Sequence, residues 1–572
     1  MVSESADLSL LRTDYYPGFR GWDEPDEAGT APIPGGRLAT FADGDETRSW
    51  QLDFHYPMGI MPLSHTLLDA VYSGARCAAA TLPVAASRGL SGRLVGPHVY
   101  TAGIDISSPE ERAERAAAAA AELAAYPRRF NKEWTEQANA LHRGFDRLQS
   151  VDPRQLAGPG LVDHFDDTVR LFADGWQLHF DVMYRLLAIN VDFQVLCRAL
   201  GISDADGAAL LPSGETAIRA ADLAMWRLAV LAREAGLTSV FTPHADARLL
   251  DALRRHDKAA AWLIEFEAFT LEYGQRTEHI VDVSGASWAE DPVRPLLLIR
   301  AWVLGQGADP HRATAKLARV RNDTVESIRT RLGPADRRTF DRGLDIAMAA
   351  NFAWWNEEHN SHIDLRLHLP VRRAGGALAV QLGGDPDDGL FLFANEVRQL
   401  ALGGRSWAEF RGLLDERRRW RASWLLRRSA LPRTVGSEQA AVLDPVMREV
   451  IGVRPAQRTD PAATTLMGMP VSHGTARGRA RIVRSEDDLD RIERGDVLVC
   501  EASSAGWTPT FARVTACVCD SGGALTHAAI ICREYSLPCV CAVGIATRVI
   551  ADGDIVEVNG TTGAVTLIRD WR

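Results

Sequence analysis

Lysine is scarce in this chain of 572 residues: Lys132, Lys258 and Lys316 are the only ones. A glycine-rich loop closed by a lysine, the usual grip on a nucleotide's phosphates, follows no strand-like run. Cysteine is sparse too, eight in all, too few to staple so long a chain. Six of them fall between Cys500 and Cys541, on runs that read as buried strands, and are expected to be reduced. The pairs Cys517/Cys519 and Cys539/Cys541 each share one strand face, which raises zinc as an option, but small buried hydrophobes are the preferred reading and no metal is expected. No apolar run approaches the roughly 20 residues of a membrane-spanning helix, and residues 1–12 lack a basic region followed by an apolar stretch, so a cytoplasmic protein without membrane contact is expected. Positive charge is also in deficit, with a net charge of -11. The one dense basic run, residues 411–428, lies on a helical pattern. Nucleic-acid binding is therefore not expected, and Arg417 to Arg421 read as a solvated face or as a contact for phosphate or a partner subunit.

The length implies two or three domains. Residues 1–108 are rich in Gly, Pro and aromatics and read as loops and short strands, including the string Trp50-Gln-Leu-Asp-Phe-His-Tyr-Pro57. Residues 109–430 change to long amphipathic segments, a mainly helical body. Residues 431–465 have the composition of a linker. From 466 to 572, strand-like runs alternate with glycine turns and one clear helix, 526–535, giving a compact α/β unit. The expected fold is thus α+β and multidomain, a helical substrate-binding body followed by a small α/β domain.

The strongest local signal is Asp520-Ser-Gly-Gly-Ala-Leu-Thr-His527, directly after an apolar strand. Gly522 and Gly523 permit backbone angles and close approach that side chains forbid. Thr526 can cap the helix with its hydroxyl facing the same space as His527. In the first turn of a helix, unpaired N–H groups and the positive dipole end favour an anion, so a phosphate on the His527 ring would be held there. Neutral imidazole is also a nucleophile near pH 7.

Gly468-Met-Pro-Val-Ser-His-Gly-Thr-Ala-Arg-Gly478, Gly495-Asp-Val-Leu-Val499, Trp507-Thr-Pro509, Gly522-Gly523, Thr526-His-Ala-Ala-Ile530, Arg533-Glu534, Leu537-Pro538 and Gly553-Asp554 resemble, in order, the phosphohistidine domain of the phosphoenolpyruvate-utilising enzymes. The resemblance covers about residues 466–569. It implies that His527 is transiently phosphorylated beside Thr526, that Gly522, Gly523 and Arg533 hold phosphate, and that the domain swivels between distant sites. Ser503-Ser-Ala-Gly506 departs from relatives, which often carry an acidic residue there, and this bears on docking. The layout resembles phenylphosphate synthase, the two-subunit enzymes that phosphorylate hydroxyphenyl ketones, and rifampicin phosphotransferase without its ATP domain. The family loads its histidine from ATP in a grasp-type domain or from phosphoenolpyruvate in a barrel. Neither reads in this sequence, so ATP and Mg2+ are expected on a separate ATP-grasp-type subunit, with no cofactor on this chain.

The acceptor, a small phenolic hydroxyl compound in this reading, is expected in the helical body. Trp355, His359, His362 and Arg366 would share one face of a continuous helix, an aromatic wall with two bases and a cation, or else a core stripe. Trp354 and Glu358 lie beside them, and Glu358 with His362 is a weak metal option. His55, next to Phe54, is a further candidate base. Trp176, with His179, Phe180 and Met183, reads equally as pocket wall or core. A rifamycin-type antibiotic as acceptor and a non-catalytic phosphocarrier are the rival readings.

Overall fold

The computed structural model describes residues 14–15, 32–40, 44–242, 248–277, 279–307, 309–428, 431–436, 446–452 and 464–568. It is α+β, and the chain divides into two units: residues 1–185, 279–285 and 362–447 in the first, and 186–278, 286–361 and 448–572 in the second. The stretch read as one helical body, 109–430, is thereby shared between the two. Among the described residues no helix is long and apolar enough to cross a membrane.

The first unit is built around the aromatic string. Ser49–Leu52 (β1), Ser87–Val95 (β2), His98–Asp105 (β3) and Thr434–Gly436 (β4) form an antiparallel sheet in the order β2-β3-β1-β4. Trp50, Leu52, Val95, Tyr100 and Trp424 pack into one buried cluster against it. Strand β4 comes from the segment expected to be a linker, because the central strand β1 would otherwise leave an open row of backbone donors and acceptors. Residues 437–445 and 453–463 of that expected linker lie outside the described residues.

The second unit joins a helical part to the C-terminal sheet. Ala217–Glu234 (α1), Ala260–Tyr273 and Val293–Val303 meet around Met225, Leu228, Trp262, Phe266, Ile299 and Trp302. Phe352–His359 (α2) starts at Asn351, whose side chain accepts from the N–H of Ala353 and of Trp354. The C-terminal strands are Thr465–Met467 (β5), Met469–Ser472 (β6), Thr475–Val483 (β7), Val497–Cys500 (β8), Ala516–Cys519 (β9), Cys539–Cys541 (β10), Ile555–Asn559 (β11) and Ala564–Leu567 (β12), in the order β5-β12-β11-β7-β8-β9-β10-β6. Strands β7 to β10 run parallel, and β8, β9 and β10 are buried throughout, as parallel strands covered on both faces should be. Alternation sorts them: Leu498, Cys500, Cys517, Cys519, Cys539 and Cys541 face one core, while Val497, Val499, Ala516, Val518 and Val540 face the other. Thr508–Phe511 (α3) and His527–Tyr535 (α4) lie on the cysteine side.

The loop from Asp520 to Thr526 leaves the carboxyl end of β9, the edge where parallel sheets place their ligands. Buried Asp520 fixes it, accepting from the N–H groups of Ala546 (2.5 Å) and Thr547 (3.1 Å) at the start of the helix Ala546–Val549. Gly522 has a φ of 94°, a region closed to most side chains. Across from it, Val450 O accepts from Gly523 N (3.2 Å) and Glu449 O from Leu525 N (3.1 Å). A Cβ on Gly452, whose φ is +80°, would stand 2.2 Å from Gly522 O. Gly452→Ala is therefore expected to destabilise the unit by roughly 1–3 kcal/mol through overpacking and a disfavoured backbone angle, read as a lower urea midpoint at unchanged slope.

Candidate active site

His527 opens α4 and is 8% exposed. Its Nδ1 lies 3.0 and 3.2 Å from the two carboxylate oxygens of Glu357, near the end of α2, and its Nε2 lies 3.3 Å from Thr508 Oγ1, the first residue of α3. Phe511 presents its edge to the ring at 6.0 Å. A carboxylate can only accept, so the Nδ1 proton points at Glu357 and the Nε2 lone pair is left toward Thr508. Nε2 is therefore the ring nitrogen that keeps a lone pair.

Thr526 does not cap α4 with its hydroxyl, contrary to expectation. The hydroxyl donates to Gly523 O at 2.8 Å and braces the glycine turn. No side chain caps the first turn, so its N–H groups face the space beside His527, where an anion is favoured. Arg533, expected on phosphate, instead donates to the carbonyls of Ala524 (2.9 Å) and Val471 (3.2 Å), tying the loop to β6. Gly522 and Gly523 stand where the sequence puts them.

Around His527 is a set of buried acids and bases that the sequence reading did not single out. Asp222 of α1, Glu357 and Glu534 are each at least nine-tenths buried, as are Arg219 and Arg276. Arg219 reaches Glu534 at 3.4 Å, and Ser213 bonds the same carboxylate. Arg276 lies over the Trp288 ring and donates to Ser361 Oγ at 3.0 Å. Burial pushes the Asp222 carboxyl up to about 7, against the pull of Arg276 and Arg219. Burial, reinforced by repulsion from Glu357, pushes Glu534 up to about 8. Both can thus stay protonated near neutrality, which relieves the crowding of like charge. A signal existed in each case: Glu534 lies inside a motif string, and Glu357 stands two residues from Trp355, on the face opposite the aromatic stripe.

That stripe does not form. Helix α2 ends at His359 and passes into a wider π turn, Asn360–Asp364, so the regular helical phase is lost. Trp355 and His359 stay in the second unit, stacked at 4.3 Å with His359 Nδ1 3.0 Å from Trp355 O. His362 and Arg366 belong to the first, where both reach His142: Arg366 donates to its Nδ1 (3.0 Å), and its Nε2 meets His362 Nδ1 at 2.5 Å. The guanidinium fixes the order, making His142 Nε2 the donor and leaving His362 with its proton on Nε2, which is the wrong tautomer for a base there. Glu358 accepts from Ala217 N at 2.6 Å and caps α1, and Trp354 donates to Glu215 O at 2.9 Å, so both serve the fold. Trp176 is a core residue among Phe172, His179 and Phe180.

In the first unit, His55 Nδ1 lies 2.6 Å from Asp53, whose other oxygen accepts from Thr101 Oγ1 at 2.6 Å, while Phe54 stacks on the ring at 4.1 Å. Burial would lower the His55 pKa, but the charge and hydrogen bond of Asp53, aided by Asp364, hold it above its ordinary value. The outer edge of the ring is partly exposed. This is an imidazole held by an orienting carboxylate.

Residues 492–563 match the family described as PEP-utilising enzyme, mobile domain, and residues 180–357 match the rifampicin phosphotransferase fourth domain. The C-terminal part of the chain is thus similar to the mobile domain of the phosphoenolpyruvate-utilising enzymes. Among its relatives, chondramide synthase cmdD of Chondromyces crocatus is 29% identical over 99% of this chain and 15% of its own length. The uncharacterized phosphotransferase YvkC of Bacillus subtilis is 27% identical over 75% of this chain and 51% of its own. Rifampicin phosphotransferase of Streptomyces sviceus is 29% identical over 53% of this chain and 34% of its own. The chain therefore spans about half or less of the length of these curated relatives.

A carboxyl whose pKa is raised on folding contributes stability that is full below its unfolded value and is lost as pH rises through the folded one. Stability of the second unit should accordingly fall between about pH 5 and pH 8. Glu534→Gln, which cannot ionise, should shrink the difference in melting temperature between pH 6 and pH 8.5 by roughly a few degrees, measured by calorimetry.

Proposed function

We propose that this chain carries a phosphoryl group on Nε2 of His527 and hands it to the hydroxyl of a small acceptor. The observation that supports this most is the His527 ring itself, fixed by Glu357 with Nε2 as its nucleophile, beside an uncapped helix start. Loading is assigned to a separate ATP-grasp-type subunit holding ATP and Mg2+. In support of that reading, among the described residues Lys132 and Lys316 lie within helices, Lys258 lies in a short 3-10 turn, and none closes a glycine loop after a strand. No step at the nucleotide is therefore placed on this chain.

In loading, the Nε2 lone pair attacks phosphorus and the bond from phosphorus to the donor breaks. Thr508, 3.3 Å from Nε2, stands in that approach, which favours a carrier that leaves this position to be loaded, as the swivelling expected of the family requires. In delivery, the acceptor oxygen attacks phosphorus, the P–N bond breaks, and its electron pair returns to Nε2. The acceptor's proton passes to His55, which Asp53 steadies as it becomes charged. The Nδ1 proton stays on the Glu357 side throughout.

A phenolic acceptor is the first reading. A rifamycin-type acceptor is favoured by the match of residues 180–357 to the fourth domain of rifampicin phosphotransferase. Turnover of phenol, 4-hydroxyphenyl ketones and rifampicin by the phosphorylated chain separates the two, and transfer to none of them would support a non-catalytic carrier.

Treatment with phosphoramidate, which phosphorylates histidine without a nucleotide, should give an acid-labile label on the wild-type chain and none at this position in His527→Ala. Glu357→Gln should slow labelling roughly a hundredfold, because an amide can also stabilise the wrong tautomer. His55→Ala should label normally and slow transfer by about a hundredfold in single turnover. Undiminished acid-labile labelling of His527→Ala, mapped by mass spectrometry to another residue, would overturn the assignment.

A further inference from the structure

Six cysteines converge in one place that the phosphoryl chemistry does not use. Cys500 comes from β8, Cys517 and Cys519 from β9, Cys539 and Cys541 from β10, and Cys532 from α4. All six are buried, unbridged and members of one core cluster. The parallel register sets Cys500 opposite Cys519 and Cys517 opposite Cys539. Sulfur separations are 3.7 Å for Cys500–Cys519, 3.6 Å for Cys517–Cys519 and 3.8 Å for Cys539–Cys541. Two triads, Cys500/Cys517/Cys519 and Cys517/Cys532/Cys539, each hold three sulfurs within 4.8 Å of one another, and Cys517 belongs to both.

Packing alone does not call for sulfur here. The other face of the same strands is filled by Val and Ala, with no thiol among them. Thiolates sharing one closed-shell ion, at a metal–sulfur distance of about 2.3 Å, stand about 3.7–3.9 Å apart, which is the spacing seen. The donor set is sulfur alone, within a buried core. That excludes hard cations, which need oxygen, and disfavours zinc, which takes four ligands where each group offers three. Soft, low-coordinate ions remain.

We propose that this cluster is a binding site for Cu(I). On binding, the three thiols of a triad each lose a proton to solvent as the chain folds and their sulfurs bond the ion in a plane, a step with no change of oxidation state. The resulting trithiolate complex carries two negative charges. Arg533, next in sequence to Cys532, supplies a nearby positive charge that offsets part of it. Access is coupled to folding, because the finished core encloses the sulfurs. Cys519 ends the strand before the Asp520 to Thr526 loop and Cys532 lies in the helix after it, so an ion in the cluster ties the two sides of that loop together.

The test is refolding of the full reduced chain, without oxygen, in Cu(I) buffered by bicinchoninate. About one equivalent should remain after gel filtration, with a sulfur-only first shell in X-ray absorption and a higher melting temperature. Retention should fall at least tenfold in Cys517→Val, which fills the same space, and stay unchanged in Cys77→Ala. Should Cys517→Val fail to fold, Cys539→Ala takes its place with the same expected loss. Folded wild-type chain without copper, a shell containing oxygen or nitrogen, equal retention by the folded cluster variants, or a preference for Zn2+ over Cu(I) would each overturn the proposal.

Discussion

A buried carboxylate meeting a buried imidazole, Glu357 against His527, is the constraint around which the second unit is arranged. Both partners are withdrawn from water, so His527 Nδ1 and the Glu357 carboxylate satisfy each other inside the core. The contact decides which ring nitrogen holds the proton and so which one keeps a lone pair. It also concentrates negative charge. Asp222 and Glu534 lie in the same enclosure with Arg219, Arg276 and Arg533 to balance them, and the arrangement is tolerable because those two carboxyls can remain neutral. The surroundings of His527 are thus set by burial first and by pairing second.

The sheet explains why the reactive loop can be so exact. Four parallel strands covered on both faces give a rigid platform, and Asp520 bolts the loop to the next helix start as it leaves β9. Glycine is needed at Gly522 for its backbone angle and at Gly452 because another backbone passes too close for a side chain. The proposed chemistry falls to one ring on a short helix, and much of what surrounds it serves position.

Much of this was legible in the sequence, for identifiable reasons. Strand alternation, the glycine pair and the start of α4 at His527 are local properties, and local properties follow from spacing. The four cysteines at 517, 519, 539 and 541 fall on one face because the strand period is two, as expected. What could not be read was whatever depends on distant pairing. Glu357 finds His527 across 170 positions. The aromatic stripe failed because an uninterrupted helix was assumed where a π turn intervenes after His359. Glu358 and Trp354 looked like binding groups and are consumed by the start of α1 and its approach, since a polar side chain next to a helix end has a use that no periodicity reveals.

The strand order of the first unit has a bearing on how the protein is made. β1, near the beginning of the chain, lies between β3 and β4, and β4 is contributed by residues 434–436. At a synthesis speed of about 5–20 residues per second, β1 waits roughly 20 to 80 seconds for its second neighbour. During that interval the edge occupied by Trp50 and Leu52 is open to any other extended chain. A nascent polypeptide of this design is expected to depend on a holding chaperone until the ribosome has passed β4, and slower translation should cost soluble yield.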